Sequence, residues 1–196
     1  AQETTIRHFG RTIQLFTPLY LSNYCVNGCV YCGFNTANKI PRGKLSYDEA
    51  EREAAAIAAT GLRHVLLLTG ESPTESPVSY IAECSRRIRK FFDSVSIEVY
   101  PLLLDDYARL ADSGVDGITL FQETYDEALY AQLHPTGPKR DYRNRLDAPE
   151  RACAAGMRTV GIGALLGLGS WRHEAFLTAF HGAWLQKKYP SASLGF

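Results

Sequence analysis

The sequence predicts an α/β fold, an open, partial (β/α) barrel. Strand-like and helix-like stretches alternate about six times along the 196 residues, which builds βαβ units, right-handed crossovers and a parallel sheet. His64 to Thr69 reads His-Val-Leu-Leu-Leu-Thr, a continuous run that suits a strand buried on both faces. The polar residues that look chemical fall at strand C-terminal ends, the catalytic face of a (β/α) barrel. An open doubly wound sheet also binds ligands there, but no G-x-G-x-x-G follows the first strand. A full eightfold barrel typically takes about 250 residues, so the barrel is expected to be partial. The chain begins with Ala1 and ends on a strand with no covering helix, an exposed edge that is a liability. The expectation is a piece of a longer enzyme, cut from its C-terminal side.

In chain order, residues 1–12 are a polar lead-in with Arg7, His8 and Arg11. Ile13 to Leu21 is rich in β-formers and reads as the first strand. A long loop with three cysteines follows, to about Leu45. Ser46 and Glu49 form a capping box before an alanine-rich helix that Gly61 ends. His64–Thr69 is the second strand, with Gly70-Glu71 at its end. A helix covers about Val78 to Phe92. Val95 to Tyr100 is the third strand, and the two-residue period puts Ser96, Glu98 and Tyr100 on one face; Glu98 carries no assigned role. Leu104–Ser113 is helical. Gly117–Gln122 is the fourth strand, running into Glu123-Thr124. A short helix Asp126–Leu133 precedes a loop with Pro135, Gly137 and Pro138. Arg143–Ala155 is read as one helix. Arg158–Leu166 is the fifth strand, Trp171–Lys188 the last helix, and Ser193–Phe196 a sixth strand. Cys84 and Cys153 fall on helices as small core residues.

Cys25, Cys29 and Cys32 have C-x3-C-x2-C spacing. A disulfide would leave one of the three unpaired. Zinc would want a fourth Cys or His, and the nearest histidines, His8 and His64, lie outside the loop. Thiolates are the usual ligands of a [4Fe–4S] cluster. Three of them hold three irons and leave the fourth open to a small molecule. A zinc-stabilised, non-catalytic binding module stays as the alternative from another class.

The chain carries 21 Lys+Arg and 21 Asp+Glu, so no electrostatic argument favours nucleic acid or an anionic membrane. No apolar run is long enough to span a bilayer, and the polar N-terminus lacks a secretory pattern. The expectation is a single cytoplasmic domain over residues 1–196.

With Tyr31 between the second and third cysteines, the loop resembles the signature of the radical S-adenosylmethionine (SAM) superfamily. Further stretches narrow the resemblance to its tyrosine lyases, and within them to the thiazole-biosynthesis branch. These are Pro18-Leu19-Tyr20-Leu21-Ser22-Asn23, Leu67-Leu68-Thr69-Gly70-Glu71, Phe121-Gln122-Glu123-Thr124-Tyr125, Gly161-Ile162-Gly163-Ala164-Leu165-Leu166-Gly167-Leu168 and Trp184-Leu185-Gln186. The resemblance covers almost the whole chain.

It implies a partial (β/α)6 barrel of the radical SAM type. It implies a [4Fe–4S] cluster on Cys25, Cys29 and Cys32, with SAM on the open iron. Reductive cleavage of SAM would give a 5′-deoxyadenosyl radical that abstracts hydrogen from L-tyrosine. The Cα–Cβ bond then breaks to p-cresol and dehydroglycine (2-iminoacetate), for the thiamine thiazole. By the same resemblance Tyr31 and Leu165 lie against the adenine. Gly70 and Glu71 receive the SAM ammonium, Arg145 pairs with its carboxylate, and Gln122, Glu123 and Thr124 offer contacts to the ribose. Strand alternation puts Gln122 and Thr124 on one face, with Glu123 turned away unless the strand ends there. The bland alternative for Arg145 is a pair with Asp141 or Asp147. Implied partners are an electron donor such as a flavodoxin or ferredoxin, and thiazole synthase. The hydrogenase-maturation branch, which makes CO and cyanide from tyrosine, is the near alternative.

Overall fold

A computed structural model describes residues 2–11 and 13–196. Ala1 and Thr12, both in the lead-in, lie outside the described residues. Six parallel strands form one open sheet in sequential order. They are β1 (Thr17–Ser22), β2 (His64–Thr69), β3 (Ser94–Glu98), β4 (Gly117–Thr119), β5 (Thr159–Gly161) and β6 (Ser193–Gly195). The helices between them cover one face, as the alternation requires.

The lead-in is helical rather than irregular: α1 spans Gln2–Phe9, with Glu3 in its first turn and Arg7 and His8 in its last. That charge order complements the helix dipole, which a reading of polarity alone overlooks. The first strand starts four residues later than its composition indicates. β1 has one partner, β2, and their register opens at Thr17↔Val65. Ile13, Leu15 and Phe16 precede that pairing and are exposed.

α2 (Tyr47–Ala59) carries the predicted capping box. The Ser46 N–H donates to Glu49 Oε2 at 2.7 Å, and the Glu49 N–H donates to Ser46 Oγ at 3.2 Å. Gly61 follows at φ +92°. α3 (Val78–Ile88), α4 (Leu104–Asp112) and α5 (Glu127–Leu133) come next. The helix read as Arg143–Ala155 is two helices, α6 (Tyr142–Leu146) and α7 (Ala148–Ala154). Pro149 explains the break, since it has no N–H to give and its ring crowds the preceding turn. α8 (Trp171–Lys188) precedes β6.

Strand alternation sorts the side chains. Leu19, Leu21, Val65, Leu67, Val95, Ile97, Ile118, Leu120, Val160 and Ile162 face the helices and form the core with Tyr80, Ile81, Ile88, Tyr107 and Leu110. Cys84 and Cys153 are buried in it. The opposite face, lined by Tyr20, Leu68, Glu98 and Glu123, opens into a cleft at the strand C-termini. Among the described residues, no helix is long and apolar enough to cross a membrane.

Candidate cluster and SAM site

The cysteine loop has little regular structure but is densely tied. Its backbone is pinned to three neighbours: Val26 N–H to the Glu71 carbonyl at 2.9 Å, Gly28 N–H to Thr136 at 3.1 Å and Val30 N–H to Leu133 at 3.1 Å. Arg42 staples it from within, donating to the carbonyls of Asn23 (2.7 Å), Phe34 (3.1 Å) and Asn35 (2.8 Å). The Phe34 N–H donates to Cys32 Sγ at 3.4 Å. Cys25 and Cys32 are half-buried and Cys29 is buried. Burial pushes the Cys29 thiol up to about 11, with Lys139 pulling the other way.

Glu71 follows β2 directly. Gly70 lets this turn pack on the loop, because a β-carbon there would collide with the Tyr24 carbonyl. Asn27, inside the cysteine loop, donates from Nδ2 to Glu71 Oε2 at 2.7 Å, and its Oδ1 accepts the Lys139 N–H at 2.9 Å. One side chain thus joins three segments. Burial raises the Glu71 carboxyl, against the pull of Asn27, Arg145 and Lys139.

Glu123, four residues past β4, projects into the cleft. Its Oε1 meets Lys139 Nζ at 2.7 Å and Arg145 Nη2 at 3.5 Å. Arg145 also donates from Nε to the Phe121 carbonyl at 2.7 Å, so it turns away from Asp141 and Asp147. Glu123 adopts φ +73°, a left-handed conformation costing roughly 1–2 kcal/mol for a side chain of this kind; such strain concentrates at functional sites.

Tyr31 lines the same cleft and is held by His134. His134 Nδ1 lies 2.8 Å from the Tyr130 carbonyl, which only accepts, so Nδ1 carries the proton. Nε2 then accepts from the Tyr31 hydroxyl at 2.7 Å. Burial drops the His134 pKa to about 4, in keeping with a neutral ring.

Cys25, Cys29, Cys32, Tyr31, Gly70, Glu71, Glu123 and Arg145 therefore line one cleft of about 370 Å³. Gln122, Thr124 and Leu165 do not. The alternation expected for Gln122 and Thr124 holds, but their shared face is the one toward the helices. Ile118 and Leu120, on the same parity, are in the core. Gln122 is buried there, and the Thr124 hydroxyl donates to Glu174 of α8 at 2.6 Å. Glu123 is the residue turned inward. Leu165 is 39% exposed and approaches only through its N–H, which donates to the Glu123 carbonyl at 2.8 Å.

Sequence reasoning missed Asn27, Lys139 and His134. Asn27 carried a signal, as an amide between two candidate ligands. Lys139 and His134 reach the cleft through a loop whose path no local pattern gives.

The donor set fits a cluster better than a single ion. A closed zinc site wants a fourth Cys or His beside the three thiolates, and the cleft lined by Cys25, Cys29 and Cys32 has neither among its lining residues. In a cluster each thiolate binds its own iron. Two carboxylates (Glu71, Glu123) and two cations (Lys139, Arg145) in the cleft match a ligand with ammonium and carboxylate groups.

A family model described as the radical SAM superfamily matches residues 19–177. The chain belongs to the radical SAM superfamily. Its cofactors are a [4Fe–4S] cluster and SAM, and it is a radical SAM enzyme by family. Over 190 residues it is 43% identical to the 2-iminoacetate synthases of Salmonella typhimurium and Escherichia coli, covering 96% of this chain and 50% of each relative. The chain thus spans about half the length of these curated relatives. Among solved structures, HydG, described as a maturase of the [FeFe]-hydrogenase, superposes with a TM-score of 0.93 at 32% identity. That match covers 99% of this chain and 45% of the other. HydG from Carboxydothermus hydrogenoformans gives 0.91 at 38% identity, over 96% and 45%. The half-barrel is therefore the radical SAM fold.

Proposed function

We propose that this chain is the radical SAM part of a tyrosine lyase that cleaves the Cα–Cβ bond of L-tyrosine to 2-iminoacetate and p-cresol. What carries the reading is the convergence of the cysteine loop, Glu71, Glu123 and Arg145 on one cleft, in a chain 43% identical to 2-iminoacetate synthases. A cluster with SAM supplies, when bound, a 5′-deoxyadenosyl radical on one-electron reduction. The chain's own residues bind and orient. Cys25, Cys29 and Cys32 offer three thiolates. Glu71, braced by Asn27, accepts from an ammonium. Arg145, already oriented by the Phe121 carbonyl, offers its guanidinium to a carboxylate. Glu123 accepts from ribose hydroxyls, and the Tyr31 ring, fixed by His134, provides an aromatic face for adenine. Gln122, Thr124 and Leu165, expected to contact the ribose and adenine, are not among the residues lining this cleft. The protein's share is placement and electrostatics.

The likeness in fold to HydG favours the hydrogenase-maturation branch as second reading; the identities, 43% against 32–38%, favour the thiazole branch. An electron donor of the flavodoxin or ferredoxin kind and a thiazole synthase partner belong to the same proposal.

The test is 5′-deoxyadenosine formation by the full-length protein, reconstituted anaerobically with iron and sulfide and reduced with SAM present. Tyrosine is expected to stimulate it several-fold, and Cys29→Ala to abolish it together with acid-labile sulfide. Stimulation by another small molecule but not by tyrosine would move the substrate elsewhere.

A further inference from the structure

The cleft holds one carboxylate that none of the roles above uses. Glu71 is engaged by Asn27, and Glu123 by Lys139 and Arg145. Glu98 lines the same cleft, and among the described residues it has no hydrogen bond or ion pair; it meets other charges only at a distance. Its neighbour across the β2–β3 register is Leu68, which lines the same face. Its carboxylate thus lines the cleft without a protein partner. Partial burial disfavours its charged form, which a cation in the cleft would offset.

The register gives the depth. Glu98 pairs with Leu68, three residues before Glu71. Ile97 pairs with Ile118, which puts Glu98 level with Thr119, four residues before Glu123. Glu98 thus originates three to four positions deeper along the strands than Glu71 and Glu123. That depth sets it apart from the groups assigned to the SAM ammonium and carboxylate.

Resting on the tyrosine reading, we propose that Glu98 binds the α-ammonium group of the amino-acid substrate. Lys139 and Arg145 cannot serve a cation, and Glu71 lies beside the cysteine loop. Burial and the nearby Glu123 raise the Glu98 carboxyl, and an arriving ammonium offsets both by pairing with the charged form.

The experiment is equilibrium dialysis of radiolabelled tyrosine against the unreduced, reconstituted full-length protein with SAM present, so that no turnover is needed. The wild type is compared with Glu98→Gln, which keeps the volume, and Glu98→Asp, which keeps the charge. Iron, sulfide and SAM binding serve as controls. We expect Glu98→Gln to bind tyrosine at least tenfold more weakly with SAM affinity within about twofold, and Glu98→Asp to fall between. 3-(4-Hydroxyphenyl)propionate, which lacks the amine, should bind wild type and Glu98→Gln alike. Wild-type tyrosine affinity in Glu98→Gln overturns the assignment, as does a matching loss of SAM binding. Absence of tyrosine binding by the wild type would overturn the substrate reading itself, and this inference with it.

Discussion

At the scale of single residues, Asn27 does the most with the fewest atoms. Its amide donates to Glu71 and accepts from the Lys139 backbone, so it holds an anion and a cation of the cleft in register. Asn27 is itself buried. Asn27→Ala removes two hydrogen bonds, one of them to a carboxylate, which argues for a loss of roughly 2–3 kcal/mol. Urea unfolding is expected to show that loss. SAM affinity should fall with Glu71 no longer braced, while the iron and sulfide content stays, because Asn27 supplies no thiolate. A variant with normal SAM affinity would mean that Glu71 needs no brace. The parity of β4 is the instructive residue-scale error. The apolar positions Ile118 and Leu120 already mark the helix-facing side, and counting on by twos puts Gln122 and Thr124 with them. Glu123 was therefore legible as the inward residue. Its left-handed backbone was not, since no glycine or asparagine signals it.

At the scale of elements, α8 is fastened to the segment after β4 by a buried carboxylate. Glu174, in the first turn of the helix, accepts from Thr124 Oγ1 at 2.6 Å and from the Tyr125 N–H at 2.7 Å. The position also favours a negative charge at a helix N-terminus. Glu174→Ala strands a buried hydroxyl and a backbone N–H, so a loss of about 2–4 kcal/mol is expected, read as a lower denaturation midpoint. Because Thr124 and Tyr125 follow Glu123, the variant should also weaken SAM binding; a drop in stability without that effect would separate α8 from the site. Helices and strands were legible wherever period and caps agreed, as in the Ser46–Glu49 box. Boundaries failed where a partner decides them. β1 begins where β2 can pair with it, and Pro149 splits what hydrophobic spacing joins.

At the scale of the whole molecule, six parallel strands in sequential order turn a polar concave face toward one cleft and an apolar face toward the helices. The cysteine motif, the barrel class and most cleft carboxylates could be read from sequence, because spacing and strand ends carry them. The Asn27–Lys139 and Tyr31–His134 links join positions 112 and 103 residues apart, and no local pattern encodes such contacts. The central claim is that this cleft serves a lyase acting on tyrosine. The most direct test is p-cresol by mass spectrometry, from the anaerobically reconstituted full-length protein given reductant, SAM and L-tyrosine. The account predicts p-cresol in step with 5′-deoxyadenosine, and neither product from the Cys25→Ala protein. Sustained 5′-deoxyadenosine with no p-cresol would contradict it.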